Sequence, residues 1–217
     1  MSRATPWPRI TPLGDAAITV AFADQLDDVG RDRVHALAEK IARLGDPAVI
    51  EVVPSYVSLA VRYDPDLLDY ATIRDLVRGL VGGESSPQPP GRLIEVVVRY
   101  DGPDLAEVAR SAGLTENQVI DLHAGGDYRV SLLGFVPGFA YLTGLDARLI
   151  LPRRAAPRPR VPPGSVAIGG AQTGIYPAAT PGGWHLIGRT EARVFDPRRD
   201  PPNLFAVGDR VRFRAER

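Results

Sequence analysis

Four arginines in a loop stiffened by proline are the first residues whose types could do chemistry. Arg153, Arg154, Arg158 and Arg160 lie in the segment LPRRAAPRPRVPPG. A guanidinium binds a carboxylate or a phosphate through paired hydrogen bonds, and proline lowers the entropy cost of holding it ready. The pattern predicts an anion-binding loop. A solvated basic loop, held only by exposed charges, is the alternative.

A glycine-rich segment, GGAQTGIYP, follows this loop. Gln172 and Thr173 offer an amide and a hydroxyl within it, and its glycines let backbone N–H groups approach a ligand closely. The segment therefore predicts polar contacts to a small molecule. A β-turn selected only for its geometry would have the same composition.

Two histidines and a tryptophan complete the set of candidates. His123 and His185 are the remaining groups that could transfer protons near neutral pH. His123 lies at the end of a predicted helix, where the helix dipole alone favours histidine. Trp184 follows Pro181, Gly182 and Gly183 and is either a wall for a ligand or part of the core.

Several chemistries are excluded by residue type. The chain contains no cysteine, so it has neither disulfides nor thiolate nucleophiles nor cysteine-bound metals. Lys40 is the only lysine, which excludes a lysine-bearing phosphate loop and leaves little scope for Schiff-base chemistry. The GxSxG, HExxH and GxGxxG patterns are also absent. Autonomous catalysis by the isolated chain is therefore not predicted.

Charge and hydropathy narrow the class of partner. The 217 residues include 26 basic and 26 acidic side chains and are 44% hydrophobic. A balanced charge gives no whole-protein field for nucleic acid or an anionic membrane. The first residues lack an apolar run of signal-peptide length, and no segment approaches the roughly 20 apolar residues that span a bilayer. We expect a cytoplasmic protein without nucleic-acid or membrane partners.

The first half of the chain predicts a small α+β domain. Ile18, Val20 and Phe22 alternate as in a strand, and residues 27–45 have the apolar spacing of an amphipathic helix. Two strands, 49–53 and 57–63, and a helix, 69–80, follow. The order resembles a ferredoxin-like split βαβ unit, which needs one more strand. Residues 93–100 either supply that strand or open a second domain, with the boundary between residues 88 and 89.

The second half predicts two short helices and then many short strands. Residues 103–114 have one apolar face, and Thr115 with Gln118 forms a capping box for the next helix. From residue 127 onward, short strands alternate with Gly/Pro turns, which is typical of a β-barrel or sandwich. Aromatic and branched side chains interleave with the glycines and prolines of residues 134–190, which indicates shaped, anchored loops rather than disorder.

Three long motifs in this region resemble a known family. LGFVPGFAYLTGLD, PRRAAPRPRVPPGSVAIGGAQTGIYP and TPGGWHLIGRT are similar to the signature of the 5-oxoprolinase B-subunit family. That family includes the Kip kinase-inhibitor proteins and the carboxyltransferase domain of allophanate hydrolase subunit 1 type. The resemblance covers nearly the whole chain and implies a ferredoxin-like α+β domain over residues 1–88, followed by an all-β cyclophilin-like barrel over residues 89–217.

The resemblance also implies a function and partners. The chain would be the B subunit of an ATP-dependent complex that opens the lactam of 5-oxo-L-proline to give L-glutamate. The C subunit, a related barrel protein, and the A subunit would be its partners, ATP with Mg would act in the complex, and the isolated chain would be inactive. The alternatives are a regulatory protein that inhibits a sensor histidine kinase and a carboxyltransferase-type subunit of urea or allophanate metabolism.

Site residues are carried over from the family's motif positions. No metal ligands are implied. We hypothesise that Arg158 neutralises a carboxylate or phosphate, that Gln172 and Thr173 orient the lactam, and that the loop 135–141 forms a wall or an interface with a partner. Val136 stands where the family often has serine, so no hydroxyl is available there. The implied catalytic residues are His123, Arg158 and Gln172, and the implied substrate-binding residues are Phe135, Phe139, Tyr141, Ser165, Thr173, Tyr176, Trp184 and Arg189.

Overall fold

The fold is described by a computed structural model for residues 7–25, 27–81 and 91–216. Its contacts divide the chain into two compact units, one up to residue 88 and one from residue 89. The domain boundary predicted from the sequence falls between residues 82 and 90, outside the described residues. Each unit is therefore described by itself.

The first unit is a four-stranded antiparallel sheet with two helices. In chain order its elements are β1 (Arg9–Pro12), β2 (Ala17–Ala21), α1 (Asp28–Leu44), β3 (Val49–Pro54), β4 (Ser58–Tyr63) and α2 (Tyr70–Val81). The strands lie in the sheet in the order β1-β2-β4-β3. Because β4 pairs antiparallel with both β2 and β3, those two strands run parallel with β4 between them, as in a split βαβ unit.

The strand that completes this sheet, β1, comes before the predicted order of strand, helix, strand, strand and helix instead of after it. β1 pairs with β2 from Arg9 opposite Ala21 to Pro12 opposite Ile18. Residues 9–12 carry too little alternation of apolar and polar side chains to predict a strand from the sequence. Residues 93–98 belong to the second unit, which decides between the two predicted roles for that segment.

The core of the first unit follows from the two periodicities of the sequence. Alternate residues of β2 and β4 point to the same face as the apolar stripes of the helices. The N-terminus of α1 is capped by Asp27, whose carboxylate accepts the N–H of Gly30 at 2.7 Å, and its C-terminus by Gly45 with φ 60°. The buried apolar residues include Ile18, Val20, Val34, Leu37, Ile41, Leu59, Val61, Ile73 and Val77.

The second unit is built on a large sheet with two helices. In chain order its elements are β5 (Leu93–Val98), α3 (Leu105–Ala112), α4 (Glu116–Ala124), β6 (Tyr128–Leu133), β7 (Ala140–Thr143), β8 (Arg158–Val161), β9 (Ser165–Gly169), β10 (Gln172–Ile175), β11 (Thr180–Gly182), β12 (His185–Arg189) and β13 (Arg210–Ala215). A short 3₁₀ helix occupies Ala147–Leu149. Seven strands form one sheet in the order β12-β9-β10-β7-β6-β13-β5, and β8 and β11 form a separate pair.

The two ends of this sheet nearly meet. Arg99, just after β5, and Arg189, at the end of β12, exchange backbone N–H···O bonds of 2.8 Å in both directions. The sheet is therefore a nearly closed barrel. It is mixed, because β13 and β5 are parallel, and two helices bury Val108 and Val119 against it. The prediction of an all-β unit was therefore wrong, although both helices were predicted as elements.

Strands β9 and β10 are buried on both faces, between the barrel core and a cluster of aromatic side chains. Ile168 and Ile175 point into the barrel core, whereas Ala167 faces a cluster of aromatic side chains on the outside. Gly169 lies under that cluster, where a Cβ would come within 2.6 Å of the Trp184 ring. In the described part of the chain, no helix is long and apolar enough to cross a bilayer.

Candidate functional site

Five predicted substrate-binding residues line one surface cleft of about 260 Å³ in the second unit. We call this the aromatic cleft. The aromatic rings pack edge to face; the centroids of Phe139 and Trp184, for example, are 5.5 Å apart. Arg153 lies over Trp184, with 5.9 Å between its guanidinium carbon and the ring centroid. The lining consists of Phe135, Phe139, Tyr141, Tyr176 and Trp184 with Arg153, Arg154, Pro157 and residues 181–183.

The cleft combines buried and exposed aromatic side chains. Trp184 is 4% exposed, so it is part of the core and a wall of the cleft at once. Phe135 is 58% exposed and has φ 71°, a left-handed conformation that is rare for a residue with a side chain. Burial raises the pKa values of the Tyr141 and Tyr176 hydroxyls, so both stay protonated at neutral pH. The cleft therefore offers apolar ring surface with neutral hydroxyls.

Two of the four loop arginines are engaged with one buried carboxylate. Oδ1 of Asp104 lies 2.7 Å from Nη2 of Arg158 and 3.0 Å from Nη1 of Arg154. Its Oδ2 accepts the backbone N–H of Leu186 at 2.7 Å. Burial alone would raise the pKa of Asp104, but the hydrogen bonds from Arg158 and Leu186 and both guanidinium charges lower it below its usual value. Asp104 is therefore ionised.

A second cleft, of about 530 Å³, contains the other predicted arginines. We call it the arginine cleft; it is lined in part by Arg158, Arg160, Ser165 and Arg189. Ser165 donates its hydroxyl to the carbonyl of Pro162 at 2.8 Å, and Arg189 pairs with Asp101 at 2.8 Å. Arg158, Ser165 and Arg189 thus lie together, but apart from the lining of the aromatic cleft.

His123 lies in neither cleft. It is completely buried, stacked on Phe213 with ring centroids 4.6 Å apart. Its Nε2 is 2.8 Å from the hydroxyl of Thr173, and its Nδ1 is 2.7 Å from the hydroxyl of Tyr100. Thr173 donates its own hydrogen to the carbonyl of Ala167 at 2.9 Å, so Nε2 of His123 is the protonated nitrogen and Nδ1 accepts from Tyr100. Burial lowers the pKa of His123 to about 3, so the ring is neutral.

Gln172 and Thr173 point to opposite faces of β10. Thr173 points inward to His123. Gln172 shares its face with Gly174, where an added Cβ would lie 3.2 Å from the ring of Phe139. Both residues are buried. One ligand therefore cannot be oriented jointly by these two side chains, and that part of our hypothesis was wrong because successive strand residues alternate in direction.

The predicted site residues thus fall into three places: the aromatic cleft, the arginine cleft and the interior of the barrel. Asp104 holds two of the arginines and Tyr100 bonds to the histidine, but no sequence pattern singled out either residue. An aspartate immediately before an amphipathic helix reads as a helix cap, and nothing local indicates partners some 50 residues away. Among the described residues, no group of three or more His, Asp or Glu could hold a metal ion.

The comparisons with known proteins agree on one family. Residues 8–205 match the family described as carboxyltransferase domain, subdomain C and D. The chain is 39% identical to a Bacillus subtilis protein named as the B subunit of 5-oxoprolinase, over 94% of this chain and 91% of that protein. It is 43% identical to the protein of the same name from Escherichia coli, over 93% of each.

Solved structures share the fold. TTHA0988 is 42% identical with a TM-score of 0.81 over 93% of this chain, which spans only 40% of that longer chain. PH0987 from Pyrococcus horikoshii is 41% identical with a TM-score of 0.57, over 96% of this chain and 97% of its own. The urea amidolyase of K. lactis, 18% identical, covers 99% of this chain with a TM-score of 0.79, while this chain covers 15% of the amidolyase, and it supports the fold alone. On the family match and the identities over most of the chain, this protein belongs to the carboxyltransferase-domain family that contains the 5-oxoprolinase B subunits.

Proposed function

We propose that this protein is the B subunit of an ATP-dependent 5-oxoprolinase complex, in which the lactam of 5-oxo-L-proline is opened to L-glutamate. The observation that carries the proposal is the identity of about two residues in five to proteins named as 5-oxoprolinase B subunits, over more than nine tenths of each chain. We further propose that the C and A subunits of that complex are its partners, that the complex is cytoplasmic, and that the isolated chain is inactive.

The aromatic cleft is the place on this chain that suits the substrate best. A five-membered lactam has apolar ring edges, which pack on aromatic faces, and a carboxylate, which pairs with guanidinium. Trp184 and Tyr176 supply the first kind of surface, and Arg153 and Arg154 lie at the same cleft. Residues of this chain would bind and orient the ring and exclude water from it.

No step that involves ATP is assigned to this chain. ATP with Mg would supply the activation that a resonance-stabilised lactam needs before water can open it. We propose that ATP binds to the partner proteins and that the role of this chain is substrate binding.

We also propose that the first unit is ferredoxin-like and the second a cyclophilin-like barrel. The split βαβ arrangement of β2, β4 and β3 supports the first assignment, with β1 in the place of the usual last strand. The nearly closed sheet supports the second. Comparison of an experimental structure of the full chain with representatives of each fold tests both assignments.

Reconstitution tests the function. The chain is co-expressed with candidate C and A subunits, and glutamate release from 5-oxoproline is measured with and without ATP. We expect release only from the complete mixture with ATP. Absence of release from a stable complex of all three proteins would contradict the proposal. Inhibition of a sensor kinase's autophosphorylation by this chain, or urea carboxylation by its complex, would then favour one of the two alternatives.

A pair of variants locates the site within that assay. Phe135→Ser removes an exposed aromatic from the cleft at little cost in core packing, and we expect turnover to fall. Leu67→Ser removes a similarly exposed apolar side chain, 63% exposed, from a turn of the first unit and is the matched control. Equal turnover of the two variants would place the substrate away from the aromatic cleft.

A further inference from the structure

The contacts of Asp104 go beyond those of a helix cap. It precedes α3, but its side chain makes no capping hydrogen bond to that helix. The carboxylate is 4% exposed and lines neither cleft. Its two oxygens instead face Arg154, Arg158 and the backbone N–H of Leu186. Buried polar groups in folded proteins are hydrogen-bonded, and this carboxylate bonds to two arginines instead of to its own helix. Its structural role is therefore to hold those arginines in place.

The same residues join the two sides of the aromatic cleft. The backbone N–H of Asp104 donates to the carbonyl of Leu186 at 3.0 Å, two residues beyond Trp184. The N–H of Arg154 donates to the carbonyl of Gly183 at 2.8 Å, and Arg158 lies opposite Gly182 in the β8–β11 pair. Asp104 therefore connects the arginine loop to the segment that carries Trp184.

The charges of this group do not balance around Asp104. One buried carboxylate faces two guanidiniums. Arg154 has a second partner in Glu107, at 3.1 Å, but that carboxylate is half exposed and is screened by solvent. One positive charge is therefore incompletely compensated beside the clefts.

Hydrogen-bond donors are also left over. Nε of Arg154 and Nη1 of Arg158 are buried and have no hydrogen-bond partner among the described residues. Buried donors are almost always paired in a folded protein, and an unpaired one in a charged group is costly. Arg154 lines the aromatic cleft and Arg158 the arginine cleft. Each cleft is thus lined by a guanidinium that keeps one unsatisfied hydrogen-bond donor.

We infer that Asp104 is a positioning residue, which holds the guanidinium of Arg154 at the aromatic cleft and that of Arg158 at the arginine cleft, so that an anionic group of a ligand pairs with the guanidinium that lines its cleft. Asp104 itself does not contact the ligand. For a carboxylate substrate such as 5-oxoproline, this role rests on the proposed function. The restraint on the two guanidiniums does not depend on it.

Asp104→Asn separates positioning from simple electrostatics. The variant keeps the shape of the side chain and an oxygen that can accept the Leu186 N–H, but it loses the charge that restrains the arginines. Removal of a negative charge would by itself strengthen the binding of an anion. Misoriented guanidiniums would weaken that binding. The two explanations predict opposite signs.

Asp209→Asn is the matched control for the cost of replacing a buried aspartate. Asp209 is as buried as Asp104 and likewise accepts from an arginine, Arg92, and from backbone N–H groups. It lines neither cleft. A general loss of stability should therefore affect both variants, whereas a positioning effect should affect only Asp104→Asn.

The first measurement needs no ligand. The side-chain N–H signals of Arg154 and Arg158 are assigned in the full chain by ¹H–¹⁵N spectra of Arg154→Lys and Arg158→Lys. We expect slowly rotating guanidinium groups in the wild type and in Asp209→Asn, and averaged, rapidly exchanging ones in Asp104→Asn. Restrained guanidiniums in Asp104→Asn would overturn the inference whether or not the complex proves to be a 5-oxoprolinase.

The second measurement uses the reconstituted complex. We expect Asp104→Asn to raise KM for 5-oxoproline by about tenfold or more, the loss expected for charged hydrogen bonds that become misdirected, with a smaller effect on kcat. Asp209→Asn should leave KM unchanged. An unchanged or lowered KM in Asp104→Asn would overturn the positioning role. A complete complex without wild-type turnover would contradict the proposed function instead, and the spectra would then decide the inference alone.

Discussion

Nε2 of His123 donates a hydrogen bond of 2.8 Å to the hydroxyl of Thr173, and both side chains are completely closed to solvent inside the barrel. The bond continues to the carbonyl of Ala167 in one direction and to Tyr100 in the other. Each group in this chain of hydrogen bonds has a partner, so the histidine adopts the tautomer with its proton on Nε2. The pair therefore joins α4 to β10 and stabilises the barrel, and it lines neither of the two clefts.

The burial of His123 predicts a pH dependence of stability. Its pKa is lowered to about 3 in the folded protein, whereas an unfolded histidine titrates near 6.5. Between those values the unfolded chain binds the extra proton, so stability is lost as the pH falls below about 6.5. We expect the free energy of unfolding to fall by up to about 1.4 kcal/mol per pH unit from pH 6 to 5.

A variant that lacks this histidine isolates its contribution. His123→Gln should be less stable than the wild type at pH 7, and its unfolding free energy should vary less between pH 6 and 5. Asp104 and Asp209, whose pKa values are lowered, lose their stabilisation only at more acidic pH and do not interfere in this window. Urea unfolding at several pH values measures both slopes. Identical slopes would contradict a neutral, buried His123.

Sequence patterns captured the elements better than the site, for a physical reason. Ile18 and Val20 alternate, and Thr115 and Gln118 form the predicted capping box, because these features depend on neighbours along the chain. The aromatic residues of the cleft come from three separate motifs, so they were grouped as one site only because the family resemblance implied it. Partners such as Asp104 and Arg158, 54 residues apart, are brought together only by the closure of the barrel. Strand alternation would also have predicted that Gln172 and Thr173 point to opposite faces, but β10 itself was not predicted.

Thr173→Val tests whether the buried hydroxyl is structural. The valine fills nearly the same volume but leaves the N–H of His123 without an acceptor, which costs about 1–3 kcal/mol for a buried polar group. Thr173→Ser keeps the hydroxyl and loses one methyl, worth about 1 kcal/mol. We expect the valine variant to be the less stable of the two in urea unfolding. The reverse order would show that the hydroxyl does not support the fold.

Phe135 predicts a conflict between stability and function. Its φ of 71° is strained for a residue with a Cβ, while its ring is largely exposed and packs edge to face on Phe139 at 5.6 Å. Phe135→Gly and Phe135→Ala both remove the ring, but only glycine relieves the strain. We expect the glycine variant to be about 1 kcal/mol more stable than the alanine variant.

Both Phe135 variants should reduce turnover of the reconstituted complex to a similar extent, because each lacks the ring. Thermal unfolding and the glutamate-release assay measure the two effects separately. An alanine variant as stable as the glycine variant would show that the left-handed backbone at this position is not strained. Retention of full turnover by both would show that the ring has no function in the cleft.

Two glycines predict substitution effects of opposite sign. Gly102 lies where the barrel closes, and a Cβ there would come within 2.3 Å of the backbone of Leu186 and Ile187, which cannot yield as a flexible side chain could. Gly79 is in α2 with nothing within 4 Å of its Cβ position, so alanine is a better helix residue there. Gly102→Ala should destabilise the second unit by about 1–3 kcal/mol or more, and Gly79→Ala should stabilise the first by roughly 0.5–1 kcal/mol. Calorimetric melting of each variant measures the shifts. A stable Gly102→Ala variant would mean that β12 and the segment after β5 are not held as closely as the exchange of hydrogen bonds between Arg99 and Arg189 requires.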